Sequence, residues 1–328
     1  MALPGPTNSI TDIDGLSVGE AQDSGVNTGV SVIVCDRPAT AAVAVAGGGP
    51  GTRETDLLRA GMLVQKVDAI VLSGGSAYGL AAADGVAGEL GAAGRGFALM
   101  DQPGVPPTPI VPGAILYDLA NGGDKDWGSQ PPYAGLGRAA FQAAGDKVRL
   151  GRAGAGFGAR AGSRPGGQGT ASIQSADGLG IGALVAVNCF GSVTLPGTDC
   201  FWAWPHEIAG EFGGRRPPPD YCTDPDDWGA AKLNPAAGMN TTIACLATNA
   251  ALTASDAQRV ADMALAGLAR AIRPVFAPVD GDTVFVLSTA GPAGGTDPLT
   301  LTRLGELAAS TLARAIARGV WHAGLSSA

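Results

Sequence analysis

Gly238-Met239-Asn240-Thr241-Thr242-Ile243-Ala244-Cys245-Leu246-Ala247 is the stretch on which the fold of this chain turns. A short, small-residue loop signal ends at Asn240, and an apolar run starts at once with a hydroxyl residue, Thr241, at its mouth. Downstream, the pattern predicts a strand over 242–248, a helix over 255–272 that must stop before Pro274, a second strand over 283–287 and an Ala/Leu-rich helix over 299–320. Both strands are apolar at successive positions, so both of their faces need cover. A β-α-β-α tail of this kind predicts helix–sheet–sheet–helix layering in one domain rather than a separate small domain.

The position of Thr241 has chemical meaning. A threonine hydroxyl is a weak nucleophile and needs a base; an α-amino group on the same residue supplies one, with an unperturbed pKa of about 7.7–8.0. That amine becomes free only if the Asn240–Thr241 bond is broken, so the stretch suits a chain that cuts its own backbone and works with the new terminus. The plain alternative is a turn that opens a strand.

Composition narrows the classes. The chain has 328 residues, a formal charge of −8, 15% charged and 45% hydrophobic residues. Lys/Arg runs are missing, which argues against a nucleic-acid or anionic-membrane partner. Residues 1–15 lack a basic stretch followed by an apolar one, and no segment has the run of about 18 uncharged apolar residues that a span requires, so a cytoplasmic protein is expected. Cys35, Cys189, Cys200, Cys222 and Cys245 are odd in number and irregular in spacing, and are expected to be buried thiols. The two histidines, His206 and His322, are too far apart for a metal-ligand spacing; neither a metal nor a cofactor is expected.

Upstream, short Val/Ile/Ala runs at 30–35, 41–46, 69–73, 182–188 and 192–195 predict strands, and 53–63, 77–90 and 135–144 predict helices. Residues 196–237, with Pro217-Pro218-Pro219 in the middle, predict a long loop leading to Asn240. Gly47-Gly48-Gly49-Pro50-Gly51-Thr52 lacks the Gly-Lys-Ser/Thr ending of a phosphate loop. Gly74-Gly75-Ser76 fits an anion-holding helix start and a tight turn equally well. Asn188, ending an apolar run, fits either a turn cap or a carboxamide donor to an oxyanion. Asp280 and Asp282, two apart, share one face of an extended backbone, against which stands a plain Asp-Gly turn.

Thr11-Asp12-Ile13-Asp14-Gly15, Leu72-Ser73-Gly74-Gly75-Ser76-Ala77-Tyr78-Gly79-Leu80, Gly154-Ala155-Gly156, Asn240-Thr241-Thr242-Ile243 and Asp280-Gly281-Asp282-Thr283 follow one another in an order that resembles the DmpA-type self-processing hydrolases. This family includes L-aminopeptidase/D-esterases, β-aminopeptidases and nylon-oligomer hydrolases, and the resemblance covers almost the whole chain. It implies an α/β (α+β) four-layer αββα sandwich of N-terminal-nucleophile type. It also implies an inactive precursor cut once between Asn240 and Thr241 into an α piece, 1–240, and a β piece, 241–328, of roughly 24 and 9 kDa.

By the same resemblance Thr241 is the nucleophile, Asn188 an oxyanion donor, Tyr117 a phenol facing the nucleophile, and Asp280 and Asp282 the groups that hold its ammonium or hydroxyl. Tyr78, Ser163 and Arg164 fall at substrate-facing positions. Relatives commonly carry a lysine where Ser163 stands, and Arg164 is a poor substitute because guanidinium does not release its proton. The expected function is a self-processing amidohydrolase or aminopeptidase acting on short peptides or amides, assembled as a homotetramer. An endo-acting 6-aminohexanoate (nylon) oligomer hydrolase is the alternative. Acetyl transfer to ornithine, whose usual Ala-Thr-Met/Leu cleavage context is missing, and a non-catalytic relic are the remaining options.

Overall fold

The computed structural model describes residues 2–100, 102–232, 240–291 and 294–325. In chain order its strands are β1 (Leu16–Asp23), β2 (Thr28–Val45), β3 (Thr52–Arg53), β4 (Lys66–Ser73), β5 (Gly113–Ile115), β6 (Arg160–Ala161), β7 (Arg164–Pro165), β8 (Gly167–Gln174), β9 (Gly180–Asn188), β10 (Thr241–Thr248) and β11 (Thr283–Ser288). The helices are α1 (Ala82–Ala92), α2 (Tyr133–Gln142), α3 (Ala254–Ala271) and α4 (Pro298–Leu325).

The hydrogen-bonded path runs β3-β5-β4-β2-β11-β10-β9-β8, with β1 paired to β2. The long strand β2 makes this path two layers. Its first part pairs with β1 and β4, the register breaks between Val34 and Ala39, and its last part pairs with β11. A bulge of this kind bends and twists a strand.

Three apolar layers follow. Ile33, Ile70 and Leu72 meet Leu184, Ile243, Cys245 and Phe285 between the sheets. Val30, Val32 and Val71 pack under α1 and α2. Val185, Ala244, Leu246 and Val284 pack under α3 and α4. The chain therefore has the expected αββα sandwich, and every residue of β10 is buried, as two-sided apolar strands require.

Helix α3 starts where its cap dictates: the Thr253 hydroxyl accepts from Asp256 N at 3.1 Å, and the Asp256 carboxylate accepts from Thr253 N. Two upstream expectations fail. Of residues 53–63, Arg53 ends β3 and only Thr55–Leu58 is helical, as a single 3₁₀ turn, because Glu54 takes a left-handed conformation (φ 55°) and Arg59 is extended, so no helix propagates. Residues 192–195 are not a strand; Ser192 bridges to Arg273 and Thr194 to Phe201 through isolated pairs, since Ser192 Oγ turns back on the Thr194 carbonyl at 2.7 Å. The described part of the long loop, 196–232, holds one 3₁₀ turn, Trp204–His206, and residues 233–237 lie outside the described residues. Four of the cysteines are buried, whereas Cys222 is exposed on that loop. No described helix is long and apolar enough to cross a membrane.

Residues 241–328 are bound to the rest by more than the sheet. Arg314 on α4, fully buried, donates to both oxygens of Glu211 at 2.5 and 2.9 Å, to the Ser172 carbonyl at 2.8 Å and to Asn8 Oδ1 at 2.9 Å. The first sequence motif joins the same network, since Asp12 accepts from Ser172 Oγ at 2.6 Å. Arg314→Met is expected to cost up to about 3–5 kcal/mol because Glu211 loses its short ion pair and keeps only the longer one to Arg318, at 3.5 Å. Urea unfolding reads this as a lower midpoint, and an unchanged midpoint means that core burial alone joins the two parts.

Candidate active site

Thr241 and Asn188 are direct partners in the antiparallel β9–β10 register. Ile243, Cys245, Leu184 and Ala186, which share their parity, all lie in the inter-sheet layer, so both side chains project into the space between the sheets. Opposed residues of this kind have Cβ atoms about 4.5–5.5 Å apart. Both are buried, and the Thr241 hydroxyl donates to the carbonyl of Asn240. The hydroxyl oxygen thus rests beside the carbonyl that joins residue 240 to residue 241. The Asn240 carboxamide is buried with neither its oxygen nor its nitrogen hydrogen-bonded to a described residue. The loop signal Gly238-Met239 lies outside the described residues.

The orientation of Asn188 is fixed from three sides. Its Oδ1 accepts from Arg160 N at 2.9 Å and from Asn121 Nδ2 at 3.3 Å, and its Nδ2 donates to the Tyr117 carbonyl at 2.9 Å. Asn121 also donates to the Gly158 carbonyl at 2.8 Å, which anchors it. Tyr117 therefore reaches Asn188 through its main chain, and its half-buried side chain makes no hydrogen bond to another described residue. Asn121 carried no sequence signal; a polar residue in a loop is too common to single out.

The acid pair is buried, and its surroundings are backbone. Asp282 accepts from Thr242 N at 2.8 Å and from Phe276 N at 3.3 Å. Asp280 accepts from Phe190 N at 3.2 Å, while its Oδ2 has no hydrogen-bond partner among the described residues. These bonds reach the residue after Thr241, not Thr241 itself, so the carboxylates are linked to Thr241 through the strand backbone. Burial, and next to it the Asp280 charge, pushes the Asp282 carboxyl up to about 8. Burial also raises Asp280, opposed by the Phe190 and Ala277 amides and by the Lys232 charge.

The Gly-rich loop at 47–49 explains why this segment is no ordinary turn. Gly49 N donates to the Asp280 carbonyl at 2.7 Å and Ala46 N to that of Asp282 at 2.8 Å. A Cβ on Gly281 would come within 2.5 Å of the Gly49 carbonyl, so glycine is required between the two aspartates.

Gly75 (φ 88°) opens the turn after β4, and its N–H donates to the Asp118 carboxylate at 2.8 Å. The anion at this turn is thus the chain's own. Tyr78, two residues past Ser76, is exposed and stands edge-on to Trp127 at 5.5 Å. Ser163 is exposed in the β6–β7 connection, with its N–H on the Ala230 carbonyl at 2.7 Å. Arg164 pairs with Asp199 at 2.7 Å beside a surface cavity lined by Phe201, Trp321 and Leu325. Its charge is spent there rather than on the acid pair. A different cation, unmarked in the sequence, stands near the pair: Lys232 donates through Nζ to the Asn188 carbonyl at 3.4 Å. Burial pushes its ammonium down to about 8 against the opposing charge of Asp280.

The model of peptidase family S58 matches residues 8–326. A protein named as an uncharacterized aminopeptidase in Mycobacterium tuberculosis is 43% identical over 96% of this chain and 94% of its own length. A 6-aminohexanoate-oligomer endohydrolase of a Kocuria species is 30% identical over 92% of this chain and 82% of its own. In architecture, the chain is similar to the L-aminopeptidase D-Ala-esterase/amidase of Ochrobactrum anthropi, described as a variant of the Ntn hydrolase fold. The TM-score is 0.69 at 20% identity, over 97% of this chain and 87% of that one.

Proposed function

The chain belongs to peptidase family S58, the DmpA/β-aminopeptidase family, and is a hydrolase of peptide or amide bonds; on that premise we propose that it matures by its own scission and works through an N-terminal Thr241. The observation that carries this reading is the Thr241 hydroxyl lying against the Asn240 carbonyl, opposite Asn188. In the proposed cut, Thr241 Oγ attacks the Asn240 carbonyl carbon, the C–N bond breaks as the hydroxyl proton passes to the leaving nitrogen, and an ester forms. Water then hydrolyses the ester, leaving an Asn240 carboxylate and the free α-amine of Thr241. The α and β pieces, 1–240 and 241–328, stay together because β10 is central in the sheet.

In the mature protein the α-amine takes the hydroxyl proton as Oγ attacks a substrate amide, returns it to the leaving amine, and water releases the acyl group. Edman sequencing of the smaller of two denatured pieces is expected to begin Thr-Thr-Ile-Ala. Any other start overturns the assignment.

Short peptides or amides are the substrates this reading favours, in keeping with the aminopeptidase name borne by the 43% identical relative. A second reading, hydrolysis of 6-aminohexanoate oligomers, is favoured by the relative of that activity at 30% identity. A panel of aminoacyl-p-nitroanilides, β-peptides and 6-aminohexanoate oligomers separates them by kcat/KM. Assembly of the cut units into a homotetramer is part of the proposal, supported by the low charge content and by exposed Leu63, Leu99 and Met100, and is read by sedimentation.

An α-amine base makes a pH prediction. kcat/KM is expected to rise with pH through one ionisation of the free enzyme near about 7.7–8.0, because only the neutral amine accepts a proton. A rate that stays flat from weakly acid to alkaline pH assigns the base to another group.

A further inference from the structure

Lys232 lies on the stretch of the α piece that leads toward the cut. Its main-chain N–H donates to the Phe190 carbonyl at 2.9 Å, and the N–H of the same Phe190 donates to Asp280 Oδ1 at 3.2 Å. The lysine Nζ reaches the carbonyl two residues further back, that of Asn188, at 3.4 Å. Residues 188–190 are therefore gripped by Lys232 through two carbonyls and by Asp280 through one N–H. This segment continues directly from the strand position opposite Thr241.

The charges follow the same geometry. Asp280 Oδ2 is buried without a hydrogen-bond partner among the described residues, an arrangement that is costly for an anion unless a cation stands near. Asp282, fully enclosed beside it, adds a like charge. Lys232 opposes the upward pull of burial on Asp280, and Asp280 opposes the downward pull of burial on Lys232. The other titratable groups that act on this cluster do not replace the lysine. Burial raises the Cys189 thiol, which stays neutral, and the Arg160 guanidinium disfavours the charged form of Lys232.

We propose that Lys232 is a positioning residue for the chain's own cut, holding the Asp280–Asp282 pair in a charged form and residues 188–190 in register with Thr241. The proposal rests on the Thr241 reading. Before the cut there is no free α-amine, so the pH profile of scission reports the acid pair and Lys232 rather than the later base. With the ammonium gone, the two carboxyls keep their protons to higher pH, and a cut that needs them ionised loses rate earlier on the acid side.

The test follows scission of freshly made full-length chain from cell-free synthesis, by denaturing electrophoresis, over a range of pH. Lys232→Met and Lys232→Gln are expected to cut at least about tenfold more slowly at neutral pH, with the acid limb moved up by about one pH unit. Lys232→Arg is expected to keep the limb of the natural chain, because it restores the charge. Neutral variants that cut at the natural rate with an unmoved limb overturn the proposal. So does equal slowing of all three variants without a shift of the limb, which means packing alone, and so does disagreement between Met and Gln. A natural chain that never cuts overturns the Thr241 reading itself, whereas natural cutting with unaffected neutral variants removes only Lys232.

Discussion

Thr241→Ala is expected to give a single uncut band and to lower kcat/KM by at least about four orders of magnitude, the scale seen when a covalent nucleophile is deleted. Two losses act together. The alanine has no oxygen to attack the Asn240 carbonyl, so the α-amine is never released, and the substrate amide meets no nucleophile either. Thr241→Ser keeps the hydroxyl and is expected to cut. Electrophoresis and steady-state kinetics on the same preparations decide the matter. An alanine variant that still splits at this bond takes the mechanism out of the chain and gives it to an outside protease.

Asn188→Ala is expected to lower kcat by about two to three orders of magnitude with KM nearly unchanged, as when one oxyanion donor is deleted. The side chain shares the inter-sheet face with Thr241 and is locked by Arg160 N, Asn121 and the Tyr117 carbonyl, so it enters the reaction already oriented. The same bonds give it a structural task, and Asn188→Asp separates the two. Aspartate keeps the acceptor that Arg160 N and Asn121 use but has no N–H to donate. If the donor matters, the aspartate variant falls as far as the alanine variant in kcat although it keeps two of the three bracing bonds, losing only the one to the Tyr117 carbonyl. If it recovers full kcat, Asn188 is a strand-end brace and the oxyanion is held elsewhere.

The amino-acid sequence by itself determined the layers and singled out Thr241 as the proposed nucleophile. The runs beginning at Thr241 and Thr283 are apolar on both faces, and α3 carries its own Thr253/Asp256 cap, so strand, helix and order follow from local chemistry. Local pattern misled at 53–63, where the left-handed Glu54 ends a helix before it begins, and at 192–195, where side chains bond their own backbone.

Only the tertiary structure decided who stands beside Thr241. Strand pairing brings Asn188 opposite it, the 47–49 loop wraps the Asp280–Asp282 segment, and Asp282 turns out to hold the amide of Thr242. Asn121 and Lys232 arrive from loops without periodicity, and Arg164, expected at a substrate-facing position, is paired with Asp199. Periodicity reports which face of an element is buried. It carries no information about which distant loop closes over that face, because hydrogen bonds and charge pairs form between residues that only the packed layers bring together.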